Sequence, residues 1–182
     1  MPSPRERALA AAVELVGNAG VRALTHARVD ARAGLPAGST SNYFRTRKAL
    51  LSGVVTWIAE TERADFGEAD AAPENIRGLI AMLSAMVEAQ TSLHAARTRA
   101  RYALFLEAGG DDAVGGPLRD QREGYEKWMQ RLVDQLDLPA PEEAARAIMA
   151  CAEGLILHRL TVDPDAAIEP AITRVVRGCL GS

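Results

Sequence analysis

Side chains able to do covalent or metal chemistry are few in this sequence. Three histidines (His26, His94, His158) and two cysteines (Cys151, Cys179) are scattered along 182 residues. No histidine falls in a spacing such as His-Glu-x-x-His, so neither a metal site nor a cofactor is expected. Cys151 and His158 stand seven apart on one helical face, but no third group is placed to orient them and Cys151 sits in an apolar stripe. No glycine-rich phosphate loop follows a strand-like segment. These residues argue against an enzyme.

Charge is the more informative chemistry. Residues 1–50 hold eight basic side chains (Arg5, Arg7, Arg22, Arg28, Arg32, Arg45, Arg47, Lys48) against three acidic ones (Glu6, Glu14, Asp30), a net of +5, while the remainder carries −8. A positive head on a negative body suits a head that meets a polyanion. Within that head, Gly38-Ser39-Thr40-Ser41-Asn42 offers a narrow surface of small polar side chains. Asn42 is chemically the best base reader among them, because its amide can pair bidentately with adenine.

The elements that would position these groups read as helices. Alanine occurs 34 times against 19 Val plus Ile, a bias toward helix over strand. Ser3-Pro4-Arg5-Glu6 is a capping box with proline at the first helical position, and Leu9, Ala12, Val13, Val16 and Ala19 then recur at helical spacing up to a left-handed cap at Gly20. Thr25 caps a second helix ending near Ala33. Gly34-Leu35-Pro36 breaks it, and Pro36 can open a short third helix, Ala37–Tyr43, anchored by Phe44. Thr46 caps a longer fourth helix through Leu50, Leu51, Val54, Val55 and Ile58. Two short helices joined by a tight glycine turn and preceded by a packing helix form a helix-turn-helix unit, although the same pattern also describes an ordinary helical hairpin.

The stretch from Leu24 to Leu51 resembles the DNA-binding domain of TetR-family transcriptional regulators. The matching elements are Thr25 opening the second helix, Ala33-Gly34 at the turn, Gly38-Ser39 in the recognition helix, the Tyr43-Phe44 pair, and Arg47 three positions past the phenylalanine. The resemblance covers about the first quarter of the chain. It implies an all-α protein of about nine helices, with a helix-turn-helix DNA-binding domain at 1–47 and a helical effector-binding and dimerisation domain at 48–182. It implies a DNA-facing set of Thr25, Arg28, Ala37, Gly38, Ser39, Thr40, Ser41, Asn42, Tyr43, Arg47 and Lys48. In that set Thr25 adds a phosphate contact to its capping role, Tyr43 turns its hydroxyl toward the DNA backbone, and Arg47 takes the place of the family's usual lysine. Arg5 and Arg45 are peripheral phosphate candidates. Three positions depart from the family pattern: Ser41 replaces a frequent tyrosine, Pro36 a polar turn residue, and Asp30 a small apolar residue whose exposure toward DNA would weaken binding.

Beyond Ala59 five further helices are expected, punctuated by Ala71-Ala72-Pro73, Thr91-Ser92, Gly109-Gly110, Gly115-Gly116-Pro117, Pro139-Ala140-Pro141 and Asp163-Pro164-Asp165. The resemblance implies that the last two form a dimer interface, with Ile148, Ala152, Leu155, His158, Ile172 and Val176 in it. Trp57, Phe66, Met82, Met86, Tyr102, Phe105 and Trp128 could line an apolar effector pocket or simply be core. Arg97 and Arg101, one turn apart, could clamp an acidic ligand or be salt-bridged. No apolar run reaches the ~20 residues of a membrane span and no secretory leader is evident, so a reduced, cytoplasmic protein is expected. The implied function is a ligand-responsive homodimeric regulator, most simply a repressor, that binds a palindromic operator and is released by a small-molecule effector through a small rotation of the fourth helix. The competing reading is a non-enzymatic helical dimerisation or adaptor module whose basic head binds an acidic protein.

Overall fold

A computed structural model describes residues 2–67, 72–108 and 111–181, with the side chains at 66, 67 and 113 outside the description. The described residues form nine α-helices and no strand: α1 (Pro4–Ala19), α2 (His26–Ala33), α3 (Ser39–Tyr43), α4 (Arg47–Gly67), α5 (Ile76–Thr91), α6 (Ala95–Ala108), α7 (Asp112–Gln135), α8 (Pro141–Thr161) and α9 (Glu169–Gly178). A single 3-10 turn, Val21–Ala23, links α1 to α2. No described helix is long and apolar enough to cross a membrane.

The chain separates into two compact units. The first comprises Met1–Ala69 and Ala96–Gln121, the second Asp70–Ala95 and Arg122–Ser182. Division by packing therefore differs from the expected division by role at residue 47, because α4 and most of α6 share a core with the three leading helices. Leu9, Val16, Leu24, Val29, Leu50, Val54, Ile58 and Leu104 are fully buried in that core. In the second unit α5, α8 and α9 pack on one another around Leu79, Leu83, Ile148, Ile172 and Val176.

Helix ends follow local chemistry. The Ser3 hydroxyl accepts from the Glu6 amide while the Glu6 carboxylate accepts from the Ser3 amide, closing the capping box. Thr25 caps α2 through the Arg28 amide, and Thr46 caps α4 through the Ala49 amide. Gly34 ends α2 in the left-handed conformation (φ 61°, ψ 39°).

Four expected boundaries move. Gly20 has a positive φ of 75° but an extended ψ of 170°, because the chain must swing directly into the 3-10 turn. The third helix begins at Ser39 rather than Ala37, since Gly38 at φ 89° and ψ −6° cannot belong to a right-handed helix. The break between α5 and α6 lies at 92–94, so Thr91 ends a helix rather than starting one. Gly115, Gly116 and Pro117 lie inside α7, where Pro117, without an N–H, forfeits one bond of the ladder. The expected Gly109-Gly110 stop lies outside the described residues.

Candidate nucleic-acid interface

The turn between α2 and α3 is built around a buried carboxylate. Asp30, only 3% exposed, accepts from the Gly38 amide at 2.8 Å through one oxygen. Its other oxygen accepts from the Thr40 amide at 2.8 Å and the Thr40 hydroxyl at 2.5 Å. Burial pushes the carboxyl pKa up, but the Thr40 and Gly38 hydrogen bonds, aided by nearby His26, outweigh it and hold the group below the ordinary aspartate value. Asp30 thus does not face DNA. It fixes the start of the recognition helix, a five-residue element too short to hold itself.

Thr40 is corrected by the same observation. It is fully buried and spends its hydroxyl on Asp30, so it cannot meet a base. The rest of the expected surface is outward. Thr25, Arg28, Ala37, Gly38, Ser41, Asn42, Arg47 and Lys48 are exposed, Ser39 is half-buried, and Tyr43 is 45% exposed. The Ser39 and Ser41 hydroxyls donate back to the Pro36 and Gly38 carbonyls, at 2.6 and 2.7 Å. No described group bonds the Asn42 side-chain amide, which leaves its full donor and acceptor set outward.

Neighbouring contacts lock this surface in place. Phe44 is buried, with the Arg5 guanidinium 5.5 Å from its ring centroid. Gly53 on α4 makes room for that ring, as a β-carbon there would come within 2.4 Å of it. His26 shares a 2.6 Å hydrogen bond with the Phe44 carbonyl, and Arg7 on α1 donates to the Ala33 and Gly34 carbonyls at the end of α2. Arg47 donates one N–H to the Val21 carbonyl at 2.9 Å, which aims the guanidinium and leaves other donors free. Lys48 pairs with Asp111 at 2.8 Å, so its charge is partly offset. The supporting roles of His26 and Arg7 had no periodic or spacing signal in the sequence.

The body candidates divide unevenly. Ile148, Ile172 and Val176 are each 0% exposed within one protomer, so they form its core and cannot also meet a partner. Ala152 and Leu155 are half-buried and His158 is exposed. The outward stripe of α8 instead runs Glu143, Ala147, Ala150, Gly154, Leu157, Thr161 at alternating steps of four and three. Arg97 and Arg101 are taken up by the buried Glu62. Its Oε2 accepts from Arg101 and Gln121 at 2.9 Å each, and Arg97 also meets Asp65. Trp57 and Tyr102 belong to the first unit and are half-buried, whereas Met82, Met86 and Trp128 belong to the second and are half-buried there. Phe105 is 44% exposed, a surface position rather than the wall of an enclosed cavity. The Phe66 side chain lies outside the described residues. Burial raises the Cys151 and Cys179 thiol pKa values, the opposite of an activated nucleophile. Among the described residues no cluster of His, Cys, Asp and Glu could hold a metal.

Residues 74–181 match the family model of the tetracyclin repressor-like C-terminal domain. The chain belongs to the TetR family. The TetR fold is also that of a transcriptional regulator from Rhodococcus sp. Rha1, 19% identical with a TM-score of 0.77 over 100% of both chains. A TetR-family member from Streptomyces coelicolor A3 is 24% identical, with a TM-score of 0.75 over 97% of this chain and 98% of that one. A multidrug binding protein, EbrR, crystallised with ethidium, is 24% identical with a TM-score of 0.72 over 96% and 98%. No curated protein matches the chain in sequence. TetR-family proteins are transcriptional regulators and not enzymes, and this chain is a regulator of that all-helical class.

Proposed function

We propose that this TetR-family protein is a ligand-responsive repressor that binds a palindromic operator as a homodimer and leaves it when a small effector binds. In this reading residues 1–47 are the DNA-binding domain, residues 48–182 hold the effector and the dimer interface, and the protein works in the cytoplasm. The observation that carries the DNA-binding part is the Asp30 carboxylate holding Gly38 and Thr40 while Asn42 and Ser41 stay outward, as do Arg28 and Arg47. A basic rim with an unspent amide at its centre divides naturally into phosphate contacts that position and a base contact that specifies.

The DNA-facing set is Thr25, Arg28, Ala37, Gly38, Ser39, Ser41, Asn42, Tyr43, Arg47 and Lys48. Dimerisation through the α8 stripe would present two α3 helices to half-sites about one DNA turn (~34–36 Å) apart. Binding of a small effector is supported by the structurally similar multidrug binding protein EbrR, which is complexed with ethidium. The candidates to meet such a molecule are Trp57 and Tyr102 in the first unit and, separately, Met82, Met86 and Trp128 in the second. The effector would act by rotating α4, and a coupling of ~1–3 kcal/mol makes DNA and effector weaken each other equally.

The deciding experiment is competition between selected palindromic duplexes and bulk DNA for the full chain. Retention of one duplex against a large excess of bulk DNA is the expected result. Equal loss of every duplex would remove the operator-binding reading and favour an acidic protein as the partner of the basic head.

A further inference from the structure

Away from the recognition surface, the first unit carries an open groove of ≈ 420 Å³ walled by α1, the end of α2, α4 and α6. Its available charge comes from Arg7 and Arg32 against the carboxylate of Glu14, because Arg97, which also lines it, is paired with Asp65 and Glu62. Those cations are held in different ways. Arg7 is pinned by two main-chain carbonyls at 2.7 and 3.1 Å, neutral groups that orient it without cancelling its charge. Arg32 has Glu14 at 3.7 Å, outside hydrogen-bonding range, with both side chains about half exposed. Arg97 is engaged with Asp65, yet its Nε is buried with no hydrogen-bond partner.

The groove also has an apolar part, from α4 and α1. The half-buried Trp57 lies on it, held one turn from Thr61, whose hydroxyl donates to the Trp57 carbonyl at 2.7 Å. Between Arg7 and Glu14, α1 contributes the small side chains of Ala10, which is exposed, Ala11 and Val13. An indole and small aliphatic side chains lining one groove suit a planar ring, and the Arg7 and Arg32 guanidiniums beside them suit a carboxylate or sulfonate through paired N–H donors. The volume lies within the range of small-molecule sites.

We propose that this groove is a binding site for a small aromatic anion, its ring against Trp57 and its acid group between Arg7 and Arg32. The occupant would brace α1 and α2 against α4 and α6. Any effect on operator affinity rests on the regulator reading above, whereas the binding itself does not.

The test uses the full chain with Trp128→Phe, which leaves Trp57 as the sole tryptophan of the two in the sequence. Titration with 4-nitrobenzoate, a planar anionic quencher, is expected to quench Trp57 emission saturably. The uncharged 4-nitrobenzamide should bind at least tenfold more weakly. Arg32→Glu should weaken the benzoate at least tenfold, and Ala10→Phe should abolish saturation by filling the groove. Both positions are exposed, and thermal melts check that each variant folds. Linear quenching of equal slope for acid and amide would overturn the proposal, as would saturation that survives both substitutions. If a variant fails to fold, the acid-against-amide comparison on the parent chain decides alone.

Discussion

At the scale of single residues, the most consequential group is a carboxylate that departs from the family's usual pattern. Asp30 accepts three charge-assisted hydrogen bonds from the turn and from α3. Asp30→Ala strands two amides and a hydroxyl in a buried place, and a loss of about 3 kcal/mol in chemical denaturation is expected. The pH dependence follows from the depressed pKa of this group. Its contribution is present above the unfolded-state value (~3.9) and is lost as pH falls through the lower folded-state value. Asp30→Asn should therefore differ most from the parent in melting temperature near neutrality, and the gap should close as pH drops below about 4. A gap that stays constant down to acid pH would deny the carboxylate its role.

The same scale separates positioning from reading on the proposed DNA surface. Arg47 is aimed by the Val21 carbonyl, so Arg47→Ala should weaken every duplex alike and reduce the salt slope by about one unit. Asn42→Ala should leave the slope unchanged and relax preference at one base position by ~1–3 kcal/mol. A duplex panel measured at several salt concentrations distinguishes the two. Indistinguishable mutants would contradict this assignment.

At the scale of elements, the second link between α4 and its neighbours is polar. Glu62 on α4 is 1% exposed and joins Arg101 of α6 to Gln121 of α7. A buried charge pair broken from one side leaves the other charge uncompensated, at a cost of about 3–5 kcal/mol. Glu62→Ala should show that loss in denaturant titration, while Glu62→Gln, which keeps an acceptor, should lose less. Equal costs would mean that shape rather than charge joins these helices.

The elements themselves were largely legible in sequence, because capping boxes, threonine caps and apolar stripes act over a few residues. Ser3, Thr25, Gly34 and Thr46 each do what their local pattern predicts. Failures came where a distant contact decided the outcome. Thr40 looks polar and outward until Asp30, ten positions earlier, claims it, and Pro36 reads as a helix start until Gly38 takes a left-handed conformation. The candidate interface residues Ile148, Ile172 and Val176 show the same limit. A helical stripe announces that a face is covered, but not whether the cover is the same chain or a second one.

For the whole molecule, that ambiguity moves the proposed symmetric contact onto the opposite side of α8. With Ile148 and Ile172 consumed by the protomer's own packing, the outward stripe offers Ala147, Ala150 and Gly154, followed by Leu157, which is 50% exposed. Small residues let two backbones approach closely, and a β-carbon on Gly154 would meet nothing within its own protomer. Gly154→Arg therefore costs the isolated protomer little beyond its surface, yet places a bulky charge at the centre of a helix-on-helix contact. Sedimentation should shift from dimer to monomer, while far-UV circular dichroism keeps the helical signal. Operator affinity should fall with dimerisation, because two half-sites joined through one dimer act at a high effective concentration that separate protomers lack. Leu157→Arg should reproduce the effect, and Ile148→Ala should instead lower thermal stability. A variant that stays dimeric with arginine at Gly154 would place the self-association face elsewhere, and the spacing of the two recognition helices would have to be sought on another helix.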